Sequence, residues 1–225
     1  MKRYDASDKY EQQDKKCSPC MTLITEYIDS INTGHPIFTS DIREYLVNDG
    51  VDVDPRKVNV YISRYEKNND DFIRYAKGIY YKSSQTPFGQ SSIKKNELVR
   101  RLYLEDNGEV FGYETGPSLI NRLGLTTQVP KYSYFATNRH RADKVSDTIK
   151  LIKPVVEVTK DNYKYLQILD ALMNKYNIEF EVDNPQKIIR EVIDNNKLEF
   201  EKLLRYATLY KNREIYEKIA QVAVG

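Results

Sequence analysis

The 225-residue sequence predicts an α+β protein with two domains, the second of which ends in helices. Three observations lead to this fold class. Apolar residues recur at helical spacing in several short segments, and aromatic and β-branched residues form short runs typical of strands. A polar segment rich in Ser, Gly and Pro divides the chain near residue 88. Hydrophobic residues make up 40% of the chain, which is enough for each domain to bury a core.

The composition excludes several classes of protein. No run approaches 18 apolar residues, and the polar N-terminus lacks the apolar stretch of a secretory signal. Residues 1–16 alternate in charge with almost nothing apolar, which predicts a disordered arm. Two cysteines and two histidines provide little material for disulfides, a zinc site or general-base catalysis. We therefore expect a cytoplasmic protein without metal or cofactor, and not an enzyme.

Three helices and a hairpin are predicted in the N-terminal third, and each helix begins at a residue that can cap it. The helices are expected at about 19–33 after Ser18, at about 39–50 from Thr39 and Ser40, and at 55–68, where Asp54 precedes Pro55. Two aromatic-rich runs then flank Lys77 and Gly78, as in a β-hairpin. The order helix, short helix, helix, hairpin is that of a winged helix-turn-helix, to which we assign residues 17–83.

Residues 84–92, with the sequence SQTPFGQSS, are the predicted linker. The second domain, 93–225, is expected to be mixed α+β and helical from about 161. We predict a helix at 93–105, a short helix before Leu123, strands at 132–136 and 148–158, and helices at 161–176, 185–195, 198–210 and 212–222.

The third helix separates into two faces at 100° per residue. Val58, Tyr61, Ile62 and Tyr65 form the apolar face. The opposite face contains candidate DNA-binding residues, namely Arg56, Asn59, Val60, Ser63, Arg64 and Lys67, with Lys57 beside them. Arginine can bind guanine, asparagine can bind adenine, and a small apolar group can touch the thymine methyl. An ordinary solvated face is the alternative, but the neighbouring short helix and hairpin favour a DNA-reading helix.

The hairpin extends the candidate DNA-binding surface. Lys77 lies at its tip, with Arg74 and Lys82 nearby, and such a tip contacts phosphate or the minor groove; a solvated turn is the alternative. Residues 56–82 contain seven basic and three acidic residues, as do residues 131–160, whereas 161–225 contains ten basic and eleven acidic. Two basic stretches in a balanced chain indicate a surface for a polyanion.

Other motifs are weaker. Cys17 and Cys20 form a CxxC, but a redox site would need a preceding strand and a zinc site two more ligands, so an inert pair is favoured. Asp52 and Asp54 resemble the D-x-D of nucleotidyltransferases but lack the upstream Gly-Ser, and Asp54 is better explained as a cap. The Gly112–Gly116 segment lacks the Lys-Ser/Thr of a phosphate loop.

Residues 112–138, GYETGPSLINRLGLTTQVPKYSYFATN, resemble the AbiEi antitoxin family of type IV toxin–antitoxin, or abortive-infection, systems. The motif positions are Gly112, Tyr113, Leu123, Gly124, Leu125, Thr126, Thr127, Gln128, Val129 and Pro130. Phe38-Thr39-Ser40 before the second helix and Gly78-Ile79-Tyr80 in the wing are also similar to the family. The resemblance covers about residues 20–155.

This resemblance implies a bacterial antitoxin that represses its own operon at inverted repeats in the promoter. It also implies that the chain counters a nucleotidyltransferase-like toxin without needing a stable complex. Its recognition helix would match 54–68 and its wing 72–82. Spacing indicates that Leu119, Ile120 and Leu123 are core residues, whereas Thr126, Thr127 and Gln128 contact either a partner or one another. Two alternatives stay open: a winged-helix regulator whose second domain senses a ligand or oligomerises, and a nucleic-acid-modifying enzyme.

Overall fold

The structure, a computed structural model, describes residues 19–51, 54–139 and 146–224. The predicted arm at 1–16, the Ser18 cap, Cys17 and Asp52 lie outside these residues. The described chain is a mixed α+β protein with a helical C-terminal region, as the sequence predicts. It divides into two compact units, with the boundary between Leu98 and Val99.

The first unit combines three helices with a small antiparallel sheet. The helices are α1 (Pro19–Ser30), α2 (Thr39–Asn48) and α3 (Pro55–Asn68). The strands are β1 (Ile37–Phe38), β2 (Phe72–Ala76) and β3 (Ile79–Lys82), in the order β1-β3-β2. The hairpin β2–β3 follows α3 directly, so one short segment of chain positions both elements of the candidate DNA-binding surface.

Helix α3 begins where its sequence predicts. The Asp54 side chain accepts a hydrogen bond from the Arg56 backbone N–H at 2.8 Å, and Pro55 occupies the first turn. An aspartate cap satisfies one of the N–H groups that have no partner within the helix, and proline has no N–H to satisfy. Both effects act through adjacent residues, which is why the start of α3 is predictable from sequence alone.

Aromatic rings join α3 to the hairpin. Tyr65 packs edge-on against Phe72 with ring centroids 5.1 Å apart, and Phe72 stacks on Tyr80 at the same distance. Val58 and Ile62 of α3 are buried in the same core, among Ile residues of α1 and α2. This packing fixes the rotation of α3 about its own axis, because the apolar stripe must face the core.

Residues 84–92, which were predicted to be a linker, form a hairpin in the structure. The segment folds back on itself, with β4 (Gln85–Thr86) paired to β5 (Gly89–Gln90). Both of its ends return to one glycine: the Gly34 N–H donates to the Lys82 carbonyl, and the Gly34 carbonyl accepts from the Lys94 N–H, each at 2.8 Å. The segment is therefore an excursion from the first unit and does not link the two units.

The boundary between the units lies inside a helical segment. Helix α4 (Lys95–Val99) continues directly into a π-helical turn at Arg100–Leu104. Polar composition marked residues 84–92 as a linker in the sequence, but the same residue types also form exposed hairpins. Sequence composition does not distinguish these two uses.

The second unit contains a three-stranded sheet and most of the remaining helices. Its strands β8 (Gly112–Thr115), β9 (Ser133–Thr137) and β10 (Ile149–Ile152) lie in the order β10-β9-β8. Strand β9 is antiparallel to β8 and parallel to β10. A small hairpin of β6 (Glu105–Asp106) and β7 (Glu109–Val110) precedes β8, and α5 (Gly116–Arg122) follows it.

Two strand predictions in this unit differ from the structure. Strand β8 was not predicted, because its four residues begin with Gly112, are followed by Gly116 and show no alternating apolar pattern. The strand predicted at 148–158 ends at Ile152, just before Lys153 and Pro154; proline has no N–H to donate to a sheet.

Four helical segments close the chain. They are α6 (Tyr163–Met173), α7 (Pro185–Asn195), α8 (Phe200–Ala207) with a 3-10 turn at Thr208–Tyr210, and α9 (Glu214–Val224). Their apolar stripes form one core together with Ile120 and Leu125 from the α5 region. The predicted helices at 161–176, 185–195, 198–210 and 212–222 agree with these within a few residues at each end.

Candidate nucleic-acid interface

Helix α3 presents all of its predicted DNA-binding residues to solvent. Val58 and Ile62 are buried on the opposite side, and Val60 is 50% exposed even though it is apolar. The exposed residues are Arg56, Lys57, Asn59, Val60, Ser63, Arg64 and Lys67. At 100° per residue they span an arc of about 160°, so they form one continuous face.

This face is slightly concave along the helix. Asn59, Val60, Ser63, Arg64 and Lys67 line a shallow, open depression of about 330 Å³. Its lining combines the small or polar side chains at positions 59, 60 and 63 with the long cationic side chains of Arg64 and Lys67.

A residue of the neighbouring helix reaches the same face. Arg43, on α2, donates a hydrogen bond from Nη2 to Oδ1 of Asn59 at 3.1 Å. The buried Nε of Arg43 has no hydrogen-bond partner among the described residues. Arginine has only donors, so the Asn59 amide oxygen must face Arg43 and the Asn59 NH₂ group must point away from it.

Sequence reasoning did not find Arg43. Sixteen positions separate it from Asn59, and no local pattern relates the two residues. The only sequence signal is that Arg43 follows the buried Ile42 in an otherwise amphipathic helix, which does not distinguish it from a solvated arginine.

The hairpin residues separate into two groups. Arg74 and Lys77 are exposed, and Lys77 lies in the turn between β2 and β3. Lys82 instead donates from Nζ to the backbone carbonyl of Asp29 at 2.9 Å. Lys82 therefore interacts with the C-terminal end of α1, where a cation is favoured by the helix dipole, and the predicted phosphate contact does not follow from its position.

The hairpin tip is held against the start of α2. The Thr39 backbone N–H and the Thr39 hydroxyl both donate to the Gly78 carbonyl, at 3.0 and 3.3 Å. Gly78 has a φ of +73°, which favours glycine over other residues. The turn that contains Lys77 is thus fixed to the helix that precedes α3.

Five of the cations on this surface are not engaged by carboxylates of the described chain. Within the described ranges, Arg56, Lys57, Lys67, Arg74 and Lys77 form no ion pair. Elsewhere in the chain most arginines are paired, for example Arg122 with Glu114 at 2.8 Å. Unpaired cations on one surface attract polyanions, and their counterions are released when phosphate binds.

Gly112 and Tyr113, the first two motif positions in the second unit, have structural roles. A Cβ atom at Gly112 would lie 1.9 Å from the Tyr103 carbonyl oxygen, so only glycine allows β8 to pass this close to the π-helical turn. Tyr113 donates from its hydroxyl to Asp170 of α6 at 3.1 Å and is buried. Burial and the Asp170 charge raise the pKa of Tyr113, which keeps its hydroxyl protonated as a donor.

Asp170 also accepts hydrogen bonds from two further hydroxyl groups. Thr115 donates to one carboxylate oxygen at 2.6 Å, and Tyr210 donates to the other at 2.8 Å. Burial and Asp170 also raise the pKa of Tyr210. These bonds connect β8, α6 and the 3-10 turn, and they satisfy the carboxylate inside the unit.

The Leu123–Pro130 motif forms a turn closed by hydrogen bonds. Leu125 and Thr126 are buried, and Asn121 donates to the carbonyls of Thr126 and Gln128. Thr127 donates to Glu181 from both its backbone N–H and its hydroxyl at 2.6 Å, and Gln128 adds a third bond at 3.3 Å. The sequence left two interpretations of Thr126, Thr127 and Gln128 open: contact with a partner, or hydrogen bonds within the turn. The contacts in the structure are hydrogen bonds within the chain.

The remaining positions of the motif differ in conformation and burial. Gly124 has a φ of +73°, and Leu123 packs against the helical core. Val129 is 88% exposed and Pro130 is half-buried. The predicted core residues Leu119 and Ile120 are buried.

Of the cysteine and aspartate pairs noted in the sequence, the structure describes only Cys20 and Asp54. Cys20 is buried in α1, and burial raises the pKa of its thiol, which is the opposite of an activated cysteine. Across the described ranges, no group of three His, Cys, Asp or Glu residues is arranged to hold a metal ion. In the same residues no helix has the length and apolar character needed to cross a membrane.

Comparisons with known proteins return little. No protein-family model and no curated protein matches the chain. Among solved structures, the chain is similar to the crystal structure of the RV2827C protein from Mycobacterium tuberculosis, with a TM-score of 0.43 and 11% sequence identity. That alignment covers 89% of this chain and 74% of the other. A similarity at this level says nothing about function.

Proposed function

We propose that residues 17–83 are a winged helix-turn-helix that binds double-stranded DNA. We further propose that the chain is an antitoxin of a type IV toxin–antitoxin system, which represses its own operon and counters a nucleotidyltransferase-like toxin. The observation that carries the first proposal is the exposed face of α3. It combines side chains that can read bases with Arg56, Lys57 and Lys67, which form no ion pair within the described residues. The second proposal rests on the resemblance to the AbiEi family at residues 112–138.

The arrangement around α3 supports the DNA-binding proposal. The major groove of B-DNA admits one α-helix, and the predicted base-reading residues of α3 all lie on its exposed face. Arg56 and Arg64 are about 12 Å apart along the helix axis, so a helix that lies along the groove would place them over different base pairs. The hairpin tip with Lys77 and the exposed Arg74 then provide contacts to the phosphate backbone.

The two-fold symmetry of inverted repeats requires two copies of the reading head on one operator. Each copy would place α3 in one half-site. Repression then follows because the occupied operator blocks access to the shared promoter.

Protection against the toxin is assigned to the second unit. Its motif residues are engaged in internal contacts: Gly112 allows close approach of the backbone, Tyr113 bonds to Asp170, and Thr127 bonds to Glu181. The motif therefore maintains the fold of this unit, and any contact with another molecule would come from its surface.

Fluorescence anisotropy with duplex DNA from the protein's own promoter tests the reading head. Arg56→Ala and Arg64→Ala should each weaken specific binding by about 1–3 kcal/mol, because each removes a base contact. Arg205→Ala is the matched control, since it removes one exposed arginine from α8 in the second unit. A folded Arg56→Ala/Arg64→Ala protein with unchanged affinity would refute the assignment of α3.

Co-expression with the adjacent gene tests the antitoxin role. With the toxin driven from an unrelated promoter, the full chain should restore growth, and the Arg56→Ala/Arg64→Ala protein should restore it equally. Operator binding without restored growth would instead support a regulator whose second unit senses a ligand or oligomerises. A metabolic gene, rather than a toxin gene, next to the gene for this protein would support the same alternative.

A further inference from the structure

One face of the second unit's sheet carries a strip of lysine and tyrosine side chains that the proposed function does not use. Lys150 of β10 is the register partner of Tyr134 on β9, so their side chains lie side by side on the same face. Tyr132 is two residues before Tyr134 and lies on that face too. The Lys150 ammonium is 4.6 Å from the centre of the Tyr132 ring, and that of Lys131 is 5.4 Å from it.

The strip continues over the start of α5. The Tyr134 and Tyr176 rings are tilted against each other, with centroids 4.7 Å apart. A Cβ atom at Gly116 would lie 2.9 Å from the Tyr176 ring and 3.3 Å from the Tyr134 ring, so glycine provides the space in which the two rings meet. Tyr176 remains 40% exposed.

The cations of the strip differ from others in the same unit. Arg122 is paired with Glu114, Arg101 with Asp106, and Arg139 with Glu109. By contrast, Lys131 and Lys150 form no ion pair within the part of the chain that the structure describes. Both ammonium groups lie near the Tyr132 ring.

One carboxylate close to the strip is already engaged. Burial raises the pKa of Tyr176, and the Tyr134 hydroxyl and the Asp170 carboxylate raise it further, so Asp170 lies close to this end of the strip. Its oxygens, however, accept hydrogen bonds from Tyr113, Thr115 and Tyr210. The exposed side of the strip therefore offers cations and π-faces together.

We propose that Lys131, Tyr132, Tyr134, Lys150 and Tyr176 form a binding surface for single-stranded nucleic acid. Single strands expose both a phosphate backbone and unstacked bases, and proteins bind them by combining positive grooves with aromatic side chains. Lys131 and Lys150 contact phosphates, and Tyr132 and Tyr176 stack on bases. A duplex, whose bases are already stacked, does not use the rings. The surface is built from residues of the second unit alone and does not depend on the DNA-reading proposal.

The test uses the full chain with two fluorescein-labelled twelve-residue probes, oligouridine and oligothymidine, in anisotropy titrations at several salt concentrations. Tyr132→Ala/Tyr176→Ala should raise the Kd for both probes at least about tenfold, since stacking on a tyrosine is lost at two positions. Lys150→Gln should flatten the salt dependence. Tyr132→Phe should retain binding because it keeps the ring.

Tyr216→Ala is the matched control, since Tyr216 is 38% exposed on α9 in the same unit. It should leave both Kd values unchanged. Circular dichroism of each variant verifies the fold. Probes that carry 4-thiouridine should cross-link to Tyr132, Tyr134 or Tyr176 on irradiation.

Three results would overturn the proposal. The first is no binding of either probe at low salt, and the second is an equal loss with Tyr216→Ala. The third is displacement of the probe by polyglutamate at the same concentration of charge, which would identify a surface for acidic proteins instead. A lower Kd for oligouridine than for oligothymidine would identify RNA as the natural ligand. Failure here leaves promoter binding by Arg56 and Arg64 untouched, so the two proposals fail independently.

Discussion

At the scale of single residues, Asn59, which we propose contacts a base, is already oriented by a neighbouring side chain. Its amide oxygen accepts from Arg43 at 3.1 Å, which defines the direction of its NH₂ group. An asparagine with a free amide can rotate to suit different bases, whereas one fixed by a neighbour presents one pattern of donors and acceptors. We therefore regard Arg43 as a positioning residue for Asn59.

Arg43→Met should relax the base preference at one operator position and weaken specific binding, because the aliphatic stem remains but the hydrogen bond is lost. Asn59→Ala should have a similar effect, and the double mutant should be less than additive, with a coupling energy of about 0.5–3 kcal/mol. Anisotropy on promoter DNA with single base-pair substitutions measures this.

Glu44→Ala is the control for Arg43, since Glu44 is exposed on the same helix. The salt dependence should not change in Arg43→Met, because no phosphate contact is removed. Strict additivity of Arg43→Met and Asn59→Ala would show that the two side chains act separately.

At the scale of elements, the hairpin contains two lysines with different environments. Lys77 is exposed in the turn, whereas Lys82 is bound to the Asp29 carbonyl of α1. Both were predicted to contact phosphate from sequence. Variants of the two lysines can therefore be compared to test whether only the exposed lysine contributes to DNA binding.

Lys77→Ala should weaken binding to all DNA sequences alike and lower the slope of log K against log salt by about 1. Lys82→Ala should leave that slope nearly unchanged but lower the thermal midpoint of the first unit, because a contact to α1 is lost. Titrations at four or more salt concentrations measure both slopes. Equal slopes for the two variants would contradict the separation.

A second element, the turn at Leu123–Pro130, is bonded to the irregular segment that contains Glu181. The hydroxyl and backbone N–H of Thr127 and the side chain of Gln128 hold the pKa of Glu181 at about 2, below its usual 4.5. The folded protein thus favours the charged carboxylate. Its stabilising effect is complete above the usual pKa and is lost as the pH falls from about 4.5 toward 2.

Glu181→Gln should lower the thermal midpoint at pH 7, because a neutral amide accepts these bonds less strongly than a carboxylate does. The difference between the two proteins should shrink as the pH falls from 4.5 to 2. Thermal unfolding at pH 7, 4 and 3 tests this. Glu179→Gln, at a neighbouring exposed carboxylate, should show no such convergence. A constant difference at all three pH values would be inconsistent with the pKa shift.

At the scale of the whole molecule, the division into units does not fall where the composition changes. Residues 84–92 leave and re-enter the first unit at Gly34, and the boundary lies at Leu98. A fragment that ends at residue 90 therefore lacks part of the first unit, including the buried Ile93.

Residues 1–105 should form a more stable fragment than residues 1–90, by about 1–3 kcal/mol. The longer fragment keeps the backbone bond from Lys94 to Gly34, the His35–Glu97 pair at 2.7 Å and the burial of Ile93. Urea unfolding followed by circular dichroism measures the difference. A 1–90 fragment extended by a Gly-Ser tail of equal length is the control. Equal midpoints for all three would show that residues 91–105 do not contribute.

The sequence by itself determined the helices of both units and the two faces of α3. Asp54 and Pro55 define the start of α3, and the spacing of Val58 and Ile62 defines its buried side. These signals act between residues within one or two helical turns, so they are present in the sequence before any tertiary contact exists.

Only the tertiary structure decided the rest: the fold-back of 84–92, strand β8, and the partners of Asn59, Lys82 and Thr127. Arg43 and Asn59 are 16 positions apart, Asp29 and Lys82 are 53 apart, and Thr127 and Glu181 are 54 apart. Each of these side chains could form its hydrogen bonds with several different partners or with water. The choice among them depends on which distant segment is brought close when the cores pack, and no local pattern of residue types contains that information.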